Sequence, residues 1–310
     1  MDLVTHLPAE LPETGCVRLF HGRGHCFAGL EGVTLDWLAP SLLFTHFCPL
    51  SEEQAAQLEG QIAVWWQSVT DRPLSLVWQD RHSRPAQTRC IGQSPPQPHW
   101  VEESGLWFEL DLLRGQNHGL FLDMASGRDW VRQHSGDKKV LNLFAYTCAF
   151  SVFAMAGGAR EVVNLDMSKP ALGQGKRNHM KNGFDAGVRY LGHDLFKTFG
   201  KLRKLGPFDL VVVDPPSFQQ GSFIATKDYP RLLRRLAELI SPGGEALLCL
   251  NAPELDRAYL RQQVADHAPE LTFVRQLDNP VTFPESDPDR GLKVFHYRRQ
   301  DAESRVSQAF

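Results

Sequence analysis

The feature that most constrains this chain is a series of short apolar runs, each followed by polar residues or a turn and then by a helical stretch. Lys139-Val140-Leu141-Asn142-Leu143 is the first run, Glu161 to Leu165 the second (closed by Asp166), and Phe208 to Val213 another, closed by Asp214-Pro215-Pro216. Helical patterns fall between them: Ser151 to Ala156, ended by Gly157-Gly158, and Lys169 to Lys181. Tyr229 to Ile240 repeats the pattern, with Leu232, Leu233, Leu236 and Ile240 on one face and Ser241-Pro242-Gly243-Gly244 as its stop. Strand-like Ala246 to Leu250 and Leu292 to Tyr297 complete the series. Runs without polar alternation are strands buried on both faces. Their regular exchange with helices predicts a parallel, doubly wound α/β sheet.

A chain of 310 residues exceeds one ordinary domain, so a smaller domain is expected before the α/β series. Val17 to Phe20, Ser41 to Phe47 and Leu74 to Trp78 read as strands. Ser51 can cap a helix on which Ala55, Leu58, Ile62, Trp65, Trp66 and Val69 recur at helical spacing. Trp65 and Trp66 therefore read as core. Gln93-Ser94-Pro95-Pro96-Gln97-Pro98 is the linker candidate, since its prolines suit neither helix nor strand. The expected division is a small α+β domain over 1–98 and an α/β domain over 99–310, with a hairpin-like Leu106 to Leu113 near its start.

Composition narrows the function classes. No apolar run approaches the roughly 20 residues of a membrane span. The N-terminus lacks the pattern of a secretory signal. Six cysteines at 16, 26, 48, 90, 148 and 249 form no Cys-x-x-Cys pair, which suits reduced thiols and a cytoplasmic setting. His21, His25 and Cys26 lie close together but lack a fourth ligand, so no metal site is expected. A net charge of −3 gives no chain-wide attraction to nucleic acid. An RNA partner would need a local basic face. Arg231, Arg234 and Arg235 with Lys227, and Lys201, Arg203 and Lys204, could supply one or could be solvated helix faces.

In an open parallel sheet, ligands bind beyond the carboxyl ends of the strands. Asn142, Phe144, Tyr146 and Thr147 follow the first strand, Asp166 and Met167 the second, Asp194 the third and Asp214 the fourth. Acidic residues in those places suit a ribose diol and an adenine amine. Alternatively, Asp166 and Asp194 cap the helices that follow. The loop Phe144 to Phe150 contains no glycine, which disfavours a dinucleotide. Asp214-Pro215-Pro216-Ser217-Phe218 sets a carboxylate, two stiff prolines and an aromatic ring after a buried strand, a rim able to hold a flat heterocycle. The competing reading is a plain turn with Phe218 in the core.

At these residues the chain resembles the ribosomal RNA large-subunit methyltransferases of the RlmI type and the RlmK half of RlmKL. Asn142-Leu143-Phe144-Ala145-Tyr146-Thr147 is similar to their first S-adenosylmethionine motif and Val163-Asn164-Leu165-Asp166-Met167-Ser168 to their second. Gly192-His193-Asp194 resembles the adenine-side segment, and Asp214 to Phe218 the catalytic motif. The likeness extends from about residue 17 to 299, including Arg18 to Asp36 in the small domain. It implies a Rossmann-like class I methyltransferase domain, S-adenosylmethionine as cofactor, RNA as partner, and Asn142, Phe144, Tyr146, Thr147, Asp166, Met167, Asp194 and Asp214 around the cofactor. Asp214, Pro215, Phe218 and Asn251 would frame the target base. The family's N-terminal PUA or THUMP domain is not expected within this sequence.

Three departures bear on function. Cys148 stands where the family has glycine, a residue that permits φ > 0 and close approach of backbone to ligand. Asp123-Met124-Ala125 replaces the family's Asp-x-Arg, so an arginine contact is either missing or supplied by Arg128. Asn251 stands where RlmI-type enzymes, which methylate cytosine C5, carry cysteine. C5 chemistry requires a covalent thiolate, whereas guanine N7, the target of the RlmK-like branch, needs only positioning. Guanine N7 is thus expected over cytosine C5, with Cys249 a buried structural residue. Two other readings stay open: a non-catalytic RNA-binding or assembly factor with a decayed cofactor loop, and a methyltransferase for a small molecule or protein.

Overall fold

A computed structural model describes residues 2–12, 15–216, 218–219 and 223–300, with only the backbone of Phe218 and Gln219. Its internal contacts divide the chain into two units, residues 1–122 with 280–287, and residues 123–279 with 288–310.

In the first unit, β1 (Cys16–His21), β2 (Val33–Leu38), β3 (Ser41–His46), β4 (Ser75–Asp80) and β5 (Gln87–Gly92) lie side by side in chain order. All neighbours are antiparallel except β3 and β4, which run parallel across the crossover helix α1 (Glu52–Val69). Ser51 and Gln54 close a capping box on α1, each side chain bonding the other's backbone N–H at 3.1 and 2.9 Å. Trp65 and Trp66 are buried beside Trp37 and Phe44, as their helical spacing predicts. β6 (His99–Glu103) and β7 (Leu106–Leu110) form a hairpin whose turn residues Ser104 and Gly105 both have positive φ, 53° and 80°. Buried His99 donates from Nε2 to the Leu38 carbonyl at 2.9 Å. This bond ties the segment after the Pro95–Pro98 stretch into the small unit, whose contact boundary falls at residue 122 rather than 98.

The second unit contains α2 (Ala125–His134), β8 (Lys139–Leu143), α3 (Ala149–Ala156), β9 (Glu161–Asp166), α4 (Lys169–Lys181), β10 (Val188–Gly192), α5 (Leu195–Leu205) and β11 (Phe208–Val213). It continues through the short pair β12 (Phe218–Gln219) and β13 (Phe223–Ile224), then α6 (Ala225–Leu236), β14 (Ile240–Leu250), α7 (Arg257–His267), β15 (Leu271–Leu277) and β16 (Lys293–Arg299). The large sheet is ordered β10-β9-β8-β11-β14-β16-β15, and β16 runs antiparallel to both its neighbours. Strand residues alternate between two cores. Leu141, Val163, Val211 and Val213 meet Phe199, Leu232 and Leu260 from α5, α6 and α7. Val140, Val162, Leu210 and Val212 meet Trp130, Val131, Phe150 and Ala154 from α2 and α3. The sheet is doubly wound, as the apolar runs predict.

One element differs from expectation. The helix expected over Tyr229 to Ile240 spans Ala225–Leu236, and Ile240 already belongs to β14. Phe208 pairs with Ile240 but Leu210 with Glu245, so Ser241 to Gly244 form a bulge, with Gly243 at φ 72°. The Pro-Gly-Gly signal marks an interrupted strand, not a helix stop.

Candidate active site

Strand order reverses between β8 and β11: the chain winds outward through β9 and β10, then returns to the other side of β8. A crevice opens beyond the carboxyl ends of strands at such a point. Leu143 is in register with both Leu165 and Val213, and Val213 with Leu248. The next row, at the rim, is therefore Phe144, Asp166, Asp214 and Cys249, with Gly192 opposite Asp166.

Beneath the rim, parallel register sets Asn142 beside Asn164. Asn142 Nδ2 donates to Asn164 Oδ1 at 3.0 Å, and Asn164 Nδ2 donates to Ser151 Oγ at 3.0 Å. Ser151 bonds His179 Nε2 at 2.9 Å, and His179 Nδ1 donates to the Gly175 carbonyl at 2.8 Å. Burial lowers the His179 pKa, so the ring is neutral with its proton on Nδ1 and accepts from Ser151. The chain of donors thus runs one way across β8, β9, α3 and α4. Asn142 Oδ1 stays buried without a partner among the described residues. Of this relay only Asn142 was singled out from sequence, because the rest depends on cross-strand register.

The loop from β8 to α3 carries three non-glycine residues in the left-handed region: Phe144 at φ 58°, Tyr146 at 46° and Cys148 at 62°. Alternate left-handed residues curl the backbone, at a conformational cost of about 1 kcal/mol or more each; the Ala145 N–H donates to the Leu165 carbonyl and the Cys148 N–H to the Ala145 carbonyl. The Phe144 ring packs edge-on against Phe223, centroids 5.1 Å apart, so its side chain turns to the core. Tyr146 N–H donates to Asp166 Oδ2 at 2.8 Å, and the Thr147 carbonyl accepts from Asn178 Nδ2 at 3.0 Å. The Cys148 thiol is fully buried with Ala145 and Leu172, in space left by the missing side chain of Gly175. Burial pushes this thiol well above its ordinary pKa, and Asp166 adds to the effect. The sulfur therefore fills the layer under the loop, against α4. A side chain at 148 is compatible with the positive φ that glycine would have eased.

Asp166 and Asp194 part company. Ser168, not Asp166, caps α4, accepting from Ala171 N–H at 3.3 Å. Asp166 Oδ1 accepts from Ser168 N–H at 2.7 Å, which aims the carboxylate along the rim. Met167 beside it is 52% exposed, open to a flat ligand. Asp194 is the N-cap of α5, with Oδ1 accepting from Lys197 N–H at 3.0 Å; Oδ2 has no donor among the described residues. The capping alternative holds for Asp194 and fails for Asp166.

Asp214 is partly buried, and its pKa is pushed up to about 7 by burial and then by Asp123, against the opposing charge of Arg128. Arg128 is 1% exposed on α2 and lies over the Phe153 ring. Its charge works against the rise in the Asp214 pKa. Pro215 is buried and Pro216 partly so. The Phe218 backbone pairs with Ile224, while its side chain, the expected stacking face, lies outside the described residues, as does Ser217. Cys249 is 0% exposed, and burial followed by the charges of Asp214 and Asp123 holds its thiol well above the ordinary pKa. Tyr229 Oη donates to the Cys249 carbonyl at 2.7 Å. Asn251 is exposed just past β14. Its neighbour Ala252 is held by Lys293, buried on β16, whose Nζ donates to the Ala252 carbonyl at 2.9 Å. Lys293 carried no sequence signal beyond being a charge in an apolar strand.

The Asp166 carboxylate beside the curled loop after β8, Asp194 after the neighbouring strand β10 and the stiff proline turn after β11 fit an adenosyl group: acceptors for a diol and an amine, and no glycine-lined space for a pyrophosphate. A family profile for S-adenosylmethionine-dependent methyltransferases matches residues 17–298. Among similar proteins, the ribosomal RNA large subunit methyltransferase I of Aeromonas salmonicida is 34% identical over 283 residues, 86% of this chain and 72% of that protein. Its Vibrio campbellii namesake is 31% identical over 204 residues, 62% of this chain and 51% of that protein. Among solved structures, SMU.776, a candidate methyltransferase crystallised with SAH, superposes with a TM-score of 0.82 at 27% identity, covering 92% of this chain and 76% of that one. This chain belongs to the S-adenosylmethionine-dependent methyltransferase family, and S-adenosylmethionine is its cofactor.

Proposed function

We propose that this enzyme methylates a base of large-subunit ribosomal RNA, at guanine N7 in preference to cytosine C5. Support for the substrate comes from the names of the relatives, which are ribosomal RNA large subunit methyltransferases. Support for the atom comes from one observation: the thiol in the rim row of β14, Cys249, is sealed and protonated, while the exposed residue past the strand is Asn251. C5 attack on a methyl group requires a thiolate added to the pyrimidine ring. A protonated, buried thiol does not supply one. An N7 lone pair needs only placement in line with the methyl group.

When bound, S-adenosylmethionine supplies an electrophilic methyl group on a sulfonium sulfur. In this reading Asp166 accepts from the ribose hydroxyls, beside Met167, and Asp194 offers Oδ2 to the adenine amine. The curled backbone of Phe144, Tyr146 and Thr147 shapes the floor, and Asn142 braces that floor from below. Asp214, Pro215 and Phe218 form one wall of the base site, with Asn251 offering its amide to a base edge. An acceptor nitrogen held there would take that methyl carbon, with the carbon–sulfur electron pair staying on sulfur.

Nucleoside mass spectrometry of ribosomal RNA from cells with and without this protein tests the proposal. Loss of N7-methylguanosine is expected. Loss of 5-methylcytidine would overturn the atom assigned, and an unchanged nucleoside profile would overturn the RNA substrate.

A further inference from the structure

The helices α5 and α6 share a face whose charge runs against that of the whole chain. Helix α5 contains no acidic residue, and α6 contains only Asp228, which is 9% exposed and turned to accept from Ile224 N–H at 2.8 Å. Lys197, Lys201 and Lys204 on α5, and Arg231 and Arg234 on α6, are exposed, with Arg235 partly so. Only Arg203 on this face has an acidic partner among the described residues, an exposed contact to Glu238 at 3.3 Å. Solvated helix faces ordinarily mix both signs, because like charges three or four residues apart repel. A chain of net charge −3 with an almost uniformly basic two-helix face has concentrated its cations there.

The arginines are also pre-arranged. Arg231 lies over the Phe196 ring at 3.9 Å and Arg235 over the Phe199 ring at 4.1 Å, so each crosses from α6 to α5. Resting on a ring restricts a guanidinium while leaving in-plane N–H groups to donate, which suits phosphate oxygens. The face has a direction too. Helix α5 follows the carboxyl end of β10, so Lys197, in its first turn, stands at the end of the face nearer the strand ends, with Arg231 about midway along α6.

We propose that this α5–α6 face is the docking surface for the RNA phosphate backbone, feeding a base toward the Asp214–Pro216 turn. The inference rests on the RNA reading above and names the surface that reading lacked. Phosphate neutralisation releases counterions, so each lost contact should flatten the salt dependence of binding by about 0.7 to 0.9 in log–log slope.

The test uses the full chain and a fluorescein-labelled large-subunit RNA transcript, with binding followed by anisotropy across a salt series. The variant Lys197→Gln/Lys201→Gln/Arg234→Gln removes exposed charges and leaves both arginine–phenylalanine contacts in place. Its expected behaviour is a slope lower by about 2, a tenfold or greater loss of affinity at low salt, and unaltered S-adenosylmethionine binding by calorimetry. A control variant, Arg72→Gln/Arg84→Gln/Lys176→Gln, should leave the slope near that of the wild type. Wild-type methylation of the RNA with no change in the first variant's slope would sink the surface while sparing the substrate. Equal losses in both variants would reduce the effect to overall charge and overturn the proposal. Tighter binding of polyglutamate than of RNA, lost in the first variant, would reassign the face to an acidic protein. A wild type that neither binds nor methylates RNA would remove the substrate reading along with the surface.

Discussion

Cys148 and Gly175 share one volume: a methyl group added to Gly175 would come within 2.4 Å of the Cys148 sulfur and 2.8 Å of its Cβ. The glycine on α4 makes room for the thiol that the cofactor loop carries. Cys148 can therefore hold φ at 62° without placing its side chain in the crevice.

Gly175→Ala should destabilise the protein by about 1 to 3 kcal/mol, the usual cost of overpacking, and should weaken cofactor binding because the loop must move. Cys148→Gly alone should stay within about 1 kcal/mol of wild type, since relief of left-handed strain offsets the lost buried side chain. Combined, the two should fall well short of the summed cost. Urea denaturation of all four proteins measures the coupling; strict additivity would deny the contact.

The buried relay should also be measurable. Ser151→Ala removes the acceptor for Asn164 Nδ2 and the donor to His179 Nε2. Stranding buried polar groups should cost about 1 to 3 kcal/mol, read as a lower denaturation midpoint with an unchanged slope. An undiminished midpoint would mean that these groups are satisfied otherwise.

Asp214 sets a pH dependence. Its folded pKa of about 7 lies above the ordinary carboxyl value of 3.8, so the folded state holds the extra proton between those limits. The stabilisation is complete below about pH 4 and is lost as pH rises through about 7, by an amount on the order of 4 kcal/mol before allowance for partial exposure. Asp214→Asn should abolish that decline. Unfolding of both proteins from pH 5 to 8 provides the check, and parallel profiles would contradict the raised pKa.

Asp166 and Asp214 were legible in the sequence as strand-end carboxylates because each follows an apolar run that can only be a buried strand. Asp194 follows β10, which offers no such run. Two edge strands were not legible. β5 is largely open to solvent and in β10 only Leu191 is buried, so Gln87–Gly92 and Val188–Gly192 lack the continuous apolar signal of the central strands. The Cys148–Gly175 pairing was hidden as well, since it depends on how α4 packs beneath the loop. Arg128 could be nominated as a substitute for a missing arginine, but its burial near Asp214 required the fold.

Cys249→Ala should retain methyl transfer to RNA within a few fold, with a stability loss of about 1 to 2 kcal/mol for the emptied site. Single-turnover transfer from labelled S-adenosylmethionine gives the comparison. A folded Cys249→Ala protein that transfers no methyl group would make this cysteine a nucleophile and restore the C5 reading.

The most direct test of the crevice is calorimetric titration of S-adenosylmethionine into the wild type and Asp166→Ala. Loss of a carboxylate that orders Tyr146 and, in the proposed reading, accepts from the ribose should weaken binding by about 100-fold or more, two charged hydrogen bonds' worth. Equal affinity in the two proteins would contradict a cofactor seated over the ends of β8 and β9.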